Sequence, residues 1–220
     1  MNFDITYLFD ALPRLFEGAL ITLKITLVGF LLSVSLATLL TLMRETTRLP
    51  IAHKLLSVYI SFIRGTPLLV QIFLVYYVTP LIGIDLGPIA AGILAITLNS
   101  AAFVVEILRG GLASVPVGQF EAARSLGLKK VALWIKVVFP QTFIASVPPL
   151  VNEFTQVLKA TALLSTITIV ELMRTAQQIY TRNYHPIEVL IGAFLIYFFM
   201  CFIVSRSAAH LESRFKPKRA

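Results

Sequence analysis

Long apolar runs separated by short polar stretches dominate the 220-residue chain. Five runs approach the length of about twenty residues that crosses a bilayer as a helix. A membrane barrel would instead alternate apolar and polar residues over about ten positions at a time, and no stretch of this sequence does so for that long. The pattern predicts an all-α integral membrane protein, a single domain over residues 1–220, with about five transmembrane helices. The predicted spans are residues 19–43, 58–81, 89–108, 137–158 and 186–204.

The segments between the runs predict the orientation of the chain. Residues 1–16 mix aromatic with acidic side chains, such as Tyr7 and Asp10, which indicates a short amphipathic segment at the outer membrane surface. The loop over residues 44–54 and the C-terminal tail, which includes Lys216, Lys218 and Arg219, are basic and are predicted to be cytoplasmic. The N-terminus should therefore lie outside and the C-terminus inside.

Composition supports the membrane assignment and limits the choice of partners. Charged residues make up 14% of the chain and hydrophobic residues 57%, whereas a soluble domain has about 25% charged residues. A net charge of +8 is compatible with nucleic-acid binding. The basic residues lie between apolar runs, however, as expected of a protein oriented by its charges in a membrane. We predict contact with lipid and none with nucleic acid.

A polar loop over about residues 110–136 separates the third and fourth spans and is predicted to be cytoplasmic. Ser114 could cap a helix there, and Gly127 suits a left-handed C-terminal cap. The segment could be an amphipathic connector resting on the membrane. It could equally be a rigid docking helix that presents Glu121, Ala122 and Ala123 to a soluble partner. Residues from about 159 to 185 are predicted to form a helical connector on the outer side of the membrane.

Four polar residues inside the spans are candidates for a substrate path: Asn99, Asn152, Glu153 and Gln156. A charge at the centre of a membrane helix costs about 2.5–3.5 kcal/mol on insertion scales, so such residues need a partner or an aqueous surface. They could hold helices together through mutual hydrogen bonds. Alternatively they line a path in which Glu153 receives a cationic or amino group and pairs with Gln156 one turn along the helix.

The sequence offers no pattern that indicates enzymatic chemistry. The phosphate-binding Gly-Lys-Ser/Thr motif does not occur, and His53, His185 and His210 are scattered without a second ligand at helical spacing. The single Cys201 has no catalytic partner placed in the sequence. We therefore predict no catalytic residue, no metal and no cofactor.

The loop contains a pattern that resembles a known family. Glu121-Ala122-Ala123, three residues, Gly127, nine residues and Val137-Val138-Phe139-Pro140 resemble the EAA loop of permease subunits of bacterial ATP-binding cassette importers. The family pattern ends in Ile-x-Leu-Pro, so this ending departs slightly. Four further stretches are similar to the polar amino acid uptake group of these permeases: residues 62–71, 98–111, 116–123 and 148–152.

One stretch departs from that group. Many members read Lys-Asp-Thr-Ser-Leu where this chain reads Lys159-Ala160-Thr161-Ala162-Leu163, so a carboxylate and a hydroxyl are absent here. A carboxylate and a hydroxyl at those two positions therefore take no part in substrate handling or gating in this chain.

The resemblance implies a permease subunit in the bacterial inner membrane that imports polar or cationic amino acids and is not itself an enzyme. Separate ATPase subunits would drive it, a second permease subunit would complete a homodimer or heterodimer, and an external binding protein would deliver the amino acid. In this family the EAA loop forms a coupling helix, which here would contact the ATPase through Glu121, Ala122, Ala123 and Gly127. The alternatives are a stand-alone secondary transporter or channel, and an importer permease for another small solute.

Overall fold

A computed structural model describes residues 3–46 and 49–215, with side chains described as far as Ser207. These residues form helices and no strand, which confirms the all-α prediction. The basic residues Arg48, Lys216, Lys218 and Arg219 lie outside the described part. The helices are α1 Ile5–Thr46, α2 Pro50–Arg64, α3 Leu68–Val78, α4 Pro88–Ala113, α5 Val117–Ser125, α6 Lys130–Leu133, α7 Phe139–Ala160, α8 Leu172–Asn183 and α9 Pro186–Phe215.

Four stretches of the described chain are long and apolar enough to cross a membrane: Ile5–Thr46, Pro88–Ala113, Lys130–Ile167 and Pro186–Ser207. A fifth span exists only if α2 is joined to the following segment Leu68–Ile82 across a bend of 109°. The span predicted over residues 58–81 is therefore not one continuous helix but is broken at the corner between α2 and α3. Pro67 causes the break, because its ring removes a backbone donor and disfavours helical geometry at Thr66.

The broken corner between α2 and α3 is stabilised by the buried amide of Gln71. Its Nε2 atom donates to the carbonyl oxygens of Ile63 at 2.9 Å and Thr66 at 3.1 Å, and to Thr66 Oγ1 at 2.9 Å. Irregular backbone is tolerated at membrane depth only where such groups are satisfied. Gln71 thus substitutes for hydrogen bonds that a continuous helix would make.

The N-terminal segment was expected to be a separate element, but its residues from Ile5 onward are continuous with the first span. Helix α1 begins at Ile5 and continues without interruption to Thr46. Ala11 and Leu15 are buried against Leu172 of α8 and Val189 of α9, within one apolar cluster. The apolar face of the segment therefore packs on protein, which the local pattern could not reveal.

The connector between α7 and α9 consists of a 3₁₀ turn, Thr161–Ile167, and helix α8. Glu171, which is completely buried, begins α8. Its carboxylate accepts hydrogen bonds from the backbone N–H groups of Met173 at 2.9 Å and Arg174 at 2.8 Å, and from the hydroxyl of Tyr197 at 2.9 Å. The connector is thereby fastened to α9.

Helix α4 is the central element of the bundle and packs against α1, α2, α3 and α7. It runs antiparallel to α7, since Ser100 contacts Glu153 whereas the later Ile107 contacts the earlier Ser146. Near its C-terminal end, Gly111 lets the two helices approach closely: a Cβ atom there would lie 2.7 Å from the carbonyl oxygen of Thr142. This pair of helices forms the walls of the candidate site.

Candidate functional site

A cavity of about 390 Å³ opens between α3, α4 and α7, within the range of about 300–1,000 Å³ typical of small-molecule sites. Three of the four residues predicted to form the substrate path, Asn99, Glu153 and Gln156, line it. Asn152 does not; it is exposed one turn before Gln156 on α7. The remaining lining residues are Leu68, Ile96, Ser100, Phe103, Val157 and Ala160.

Glu153 on α7 accepts a hydrogen bond from the neighbouring helix α4. The hydroxyl of Ser100 on α4 donates to Glu153 Oε1 at 2.7 Å. The pairing with Gln156 expected from the sequence does not occur. Within the described residues, Oε2 accepts no hydrogen bond and no lysine or arginine forms an ion pair with this carboxylate. Glu153 therefore retains acceptor capacity toward the cavity.

Asn99 has a structural partner that sequence reasoning missed. Its Nδ2 atom donates to Gln71 Oε1 at 2.9 Å, and Gln71 in turn binds the broken corner between α2 and α3. The wall of the cavity and the corner are thus one hydrogen-bonded unit. An amide just after a proline break in an apolar run was the available signal, because buried amides in spans need partners.

Two of the residues predicted to contact a soluble partner, Glu121 and Ala122, are exposed on helix α5. Gly127 ends the helix with φ +71, as expected, and the hydrogen bonds from Gly127 N to Arg124 O and from Leu128 N to Ala123 O form a Schellman cap. The left-handed conformation is the reason a glycine stands there.

The structure differs from two expectations about α5. Ala123 is only 3% exposed, because it packs with Leu133 and Val138 inside the chain, so its side chain lies on the buried side of the helix. Ser114 does not cap the helix; its hydroxyl donates to the carbonyl oxygen of Gly111, and Pro116 occupies the capping position. The spacing of small residues could not distinguish a docking face from an internal packing face.

The exposed face of α5, with the residue that follows the helix, carries two apolar side chains that the sequence analysis did not single out. Val117 is 71% exposed and Leu126 is 81% exposed. Large exposed apolar residues on a short polar helix are typical of an interaction surface. Together with Glu121 and Ala122 they form the surface called here the α5 face.

The buried face of α5 packs against the segment that leads into α7. The Ala123, Leu133 and Val138 cluster links them, and the ring of Phe120 meets that of Trp134 edge-on with centroids 6.3 Å apart. Between α6 and α7 the chain makes one π-helical turn, Trp134–Val138. Helix α5 therefore packs against the segment that leads into α7, the helix that carries Glu153.

A helical membrane bundle that encloses a cavity with several polar lining residues is the architecture expected of a membrane transport component. Residues 29–217 match the family described as the binding-protein-dependent transport system inner membrane component, and the chain belongs to this family. It is accordingly a multi-pass protein of the inner membrane. The resemblance found in the EAA loop is confirmed.

Individual relatives match nearly the whole chain. It is 38% identical over 203 residues to the L-cystine transport system permease protein TcyB of Bacillus subtilis (strain 168), covering 92% of this chain and 86% of TcyB. It is 34% identical over 217 residues to the arginine transport system permease protein ArtQ of the same strain, covering 98% and 99%. A crystal structure of an amino acid ABC transporter with histidines superposes with a TM-score of 0.89 at 34% identity, covering 98% of this chain and all of that one.

Proposed function

We propose that this permease subunit carries polar or cationic amino acids inward through the cavity between α3, α4 and α7. The single observation that carries the proposal is the half-satisfied carboxylate of Glu153 beside the amides of Asn99 and Gln156. The relatives named for cystine and arginine transport, and the similar transporter solved with histidines, support an amino acid as the substrate.

The lining of the cavity favours a substrate with a positive group. Glu153 is its only charged lining residue among those the structure describes. It could bind an ammonium or guanidinium group, while the two amides bind other polar atoms of the substrate. Ala160 also lines this cavity, so the aspartate that many related permeases are expected to have there would add a second carboxylate to the wall. Asn152, one turn away, would continue the path beyond the cavity.

The substitution Glu153→Gln tests this assignment. Reconstituted with its ATPase and binding protein, the variant should take up L-arginine about tenfold more slowly, since a charge-assisted hydrogen bond is worth about 1.5–3 kcal/mol. Uptake of L-glutamine should fall much less, because its side chain carries no charge. The control is Glu17→Gln, which neutralises an exposed carboxylate on α1. Equal losses for both amino acids would reduce Glu153 to a structural residue.

We also propose that the α5 face docks onto an ATPase subunit on the cytoplasmic side. Val117 and Leu126 would supply apolar contacts and Glu121 a charged one, with Gly127 fixing the end of the helix. The proposed orientation, with the N-terminus outside and the C-terminus inside, places α5 in the cytoplasm. A second permease subunit would complete the complex, and an external binding protein would deliver the substrate.

Gly127→Val tests the coupling role. A φ of +71 is strained for a β-branched residue, so the end of α5 should shift. ATP hydrolysis should then become uncoupled from amino acid uptake. We expect the ratio of amino acid transported to ATP hydrolysed to fall at least about threefold, since strain of this kind is worth about 1–3 kcal/mol. Gly118→Ala is the matched control, because nothing lies within 4 Å of a Cβ atom there. An unchanged ratio would remove Gly127 from the coupling surface.

A further inference from the structure

The lining residue of α4 nearest to α5 is an aromatic ring, that of Phe103. Helix α4 passes from Ile96 through Ser100 to Phe103 along the cavity wall and then continues toward α5. Phe103 is thus the last residue of α4 to line the cavity in the direction of the proposed cytoplasmic side. On the inward path proposed above, a solute would pass beside this ring.

Directly against this ring lies an arginine from another helix. The guanidinium carbon of Arg64 lies 5.6 Å from the centroid of the Phe103 ring. Arg64 Nη1 also lies 3.7 Å from Glu106 Oε2, one turn further along α4. Glu106 is shared, since Arg109 Nη1 approaches its Oε1 at 3.2 Å. The ring and the carboxylate together fix where the Arg64 side chain sits.

We propose that Arg64 is a positioning residue that holds the Phe103 ring across the inner end of the cavity. A guanidinium group stacks on aromatic faces and can bind a carboxylate at the same time, which a lysine does less well. Arg64 serves both functions from the last residue of α2. Phe103 belongs to α4, so the closure depends on the relative placement of these two helices.

The location of Arg64 explains how such a closure would open. The residue immediately precedes Gly65-Thr66-Pro67, where the chain turns by 109° between α2 and the next segment. A change at this corner would withdraw the guanidinium from the ring and from Glu106 together. Gln71 connects the same corner to Asn99 on the cavity wall, so a ligand bound to Asn99 would be sensed at the corner.

Arg109 offers a matched control. It pairs with the same carboxylate at a shorter distance, and its side chain is 55% exposed against 46% for Arg64. The recorded cation–π contacts of the described chain do not include it. A purely electrostatic role of these arginines would make both substitutions equivalent, whereas the proposed role requires only Arg64.

The test measures access to the cavity without any substrate, so it is independent of the amino acid proposed above. Ala160→Cys places a small thiol in the cavity lining, and Cys201→Ser removes the only native thiol. The assembled complex is labelled with a membrane-impermeant maleimide in inside-out and in right-side-out vesicles. The rate of labelling reports how open each end of the path is.

We expect Arg64→Ala and Phe103→Ala each to accelerate labelling about fivefold in inside-out vesicles, in line with the strength of a partly desolvated cation–π contact. Arg109→Ala should leave the rate unchanged. The double variant of Arg64 and Phe103 should label no faster than Phe103→Ala alone, because both changes remove one closure. Arg64→Lys, which retains the charge and the fold, should lie between the wild type and Arg64→Ala.

Any of three results would overturn the proposal. The first is equal acceleration by Arg64→Ala and Arg109→Ala, which would indicate a general electrostatic effect. The second is no acceleration by Phe103→Ala, and the third is acceleration only in right-side-out vesicles. The amino acid assignment is tested separately by uptake: it can fail while the labelling pattern holds, and the converse is equally possible.

Discussion

Two carboxylates in the interior of the bundle, Glu171 and Glu153, show how differently the same side chain can be used. Glu171, completely buried at the start of α8, accepts hydrogen bonds from two backbone N–H groups and from Tyr197, and Thr22 Oγ1 lies 3.5 Å from its Oε2. Glu153 has one partner, Ser100, and borders a cavity.

The difference in partners separates a structural role from a binding role. Burial raises the pKa of Glu171, while the hydrogen bonds from Met173, Arg174 and Tyr197 oppose that rise. Its acceptor capacity is used within the chain, which leaves little for a ligand. Glu153 retains an oxygen that no described residue binds. A buried acid with unused acceptor capacity beside a cavity is a better candidate for binding than one that is fully satisfied.

The largest expected effect comes from removing the satisfied acid. Glu171→Ala should lower the free energy of unfolding by about 3 kcal/mol, because it deletes the cap of α8 and leaves buried donors without a partner. The measurement is the thermal midpoint of the detergent-solubilised protein. Glu17→Ala, at an exposed carboxylate of α1, is the control. A thermal midpoint for Glu171→Ala equal to that of the control would show that Glu171 does not have the structural role that distinguishes it from Glu153.

A second substitution tests whether the cavity depends on the close approach of its two walls. Gly111→Ala should push α4 away from α7, since a Cβ atom there would meet both Ser146 Oγ and the carbonyl oxygen of Thr142. Overpacking of this kind costs about 1–3 kcal/mol, and transport should fall with stability. Gly110→Ala is matched in chemistry and has nothing within 4 Å of the added atom. If both variants behave alike, the contact at Gly111 does not shape the cavity.

The sequence predicted the membrane class, the apolar runs, and three of the residues that line the cavity. It did not predict the break at Pro67, because hydropathy is high on both sides of a bend and does not report direction. It also did not identify Gln71 or the satisfied state of Glu171. Both depend on partners from other helices, and spacing along one helix carries no information about those partners.

Packing across distant parts of the chain explains the remaining errors. Residues 5–16 appeared to be a free amphipathic segment because α8 and α9, which cover their apolar face, come more than 150 positions later. Ala123 appeared to be part of a docking surface because its burial depends on Leu133 and Val138, beyond the turn at Gly127. Local patterns identify an amphipathic face but not what covers it.

The smallest expected effect is that of Ser100→Ala, which is compared with Thr22→Val because each variant removes one hydroxyl beside one of the two acids. Ser100→Ala deletes the partner of Glu153 and should change the free energy of unfolding by less than about 1 kcal/mol, because water in the cavity can replace the hydroxyl. Thr22→Val deletes the hydroxyl near Glu171. The same hydroxyl accepts a hydrogen bond from the N–H of Leu172 at 3.1 Å, and Thr22 is fully buried. It should therefore destabilise the protein more than Ser100→Ala does, by about 1–3 kcal/mol.

L-Arginine uptake by Ser100→Ala, compared with that of Thr22→Val at a temperature where both remain folded, completes the test. If only Ser100→Ala alters uptake, Glu153 is the acid that faces substrate; if the two variants change stability and uptake to the same extent, the number of hydrogen bonds to each carboxylate does not indicate its role.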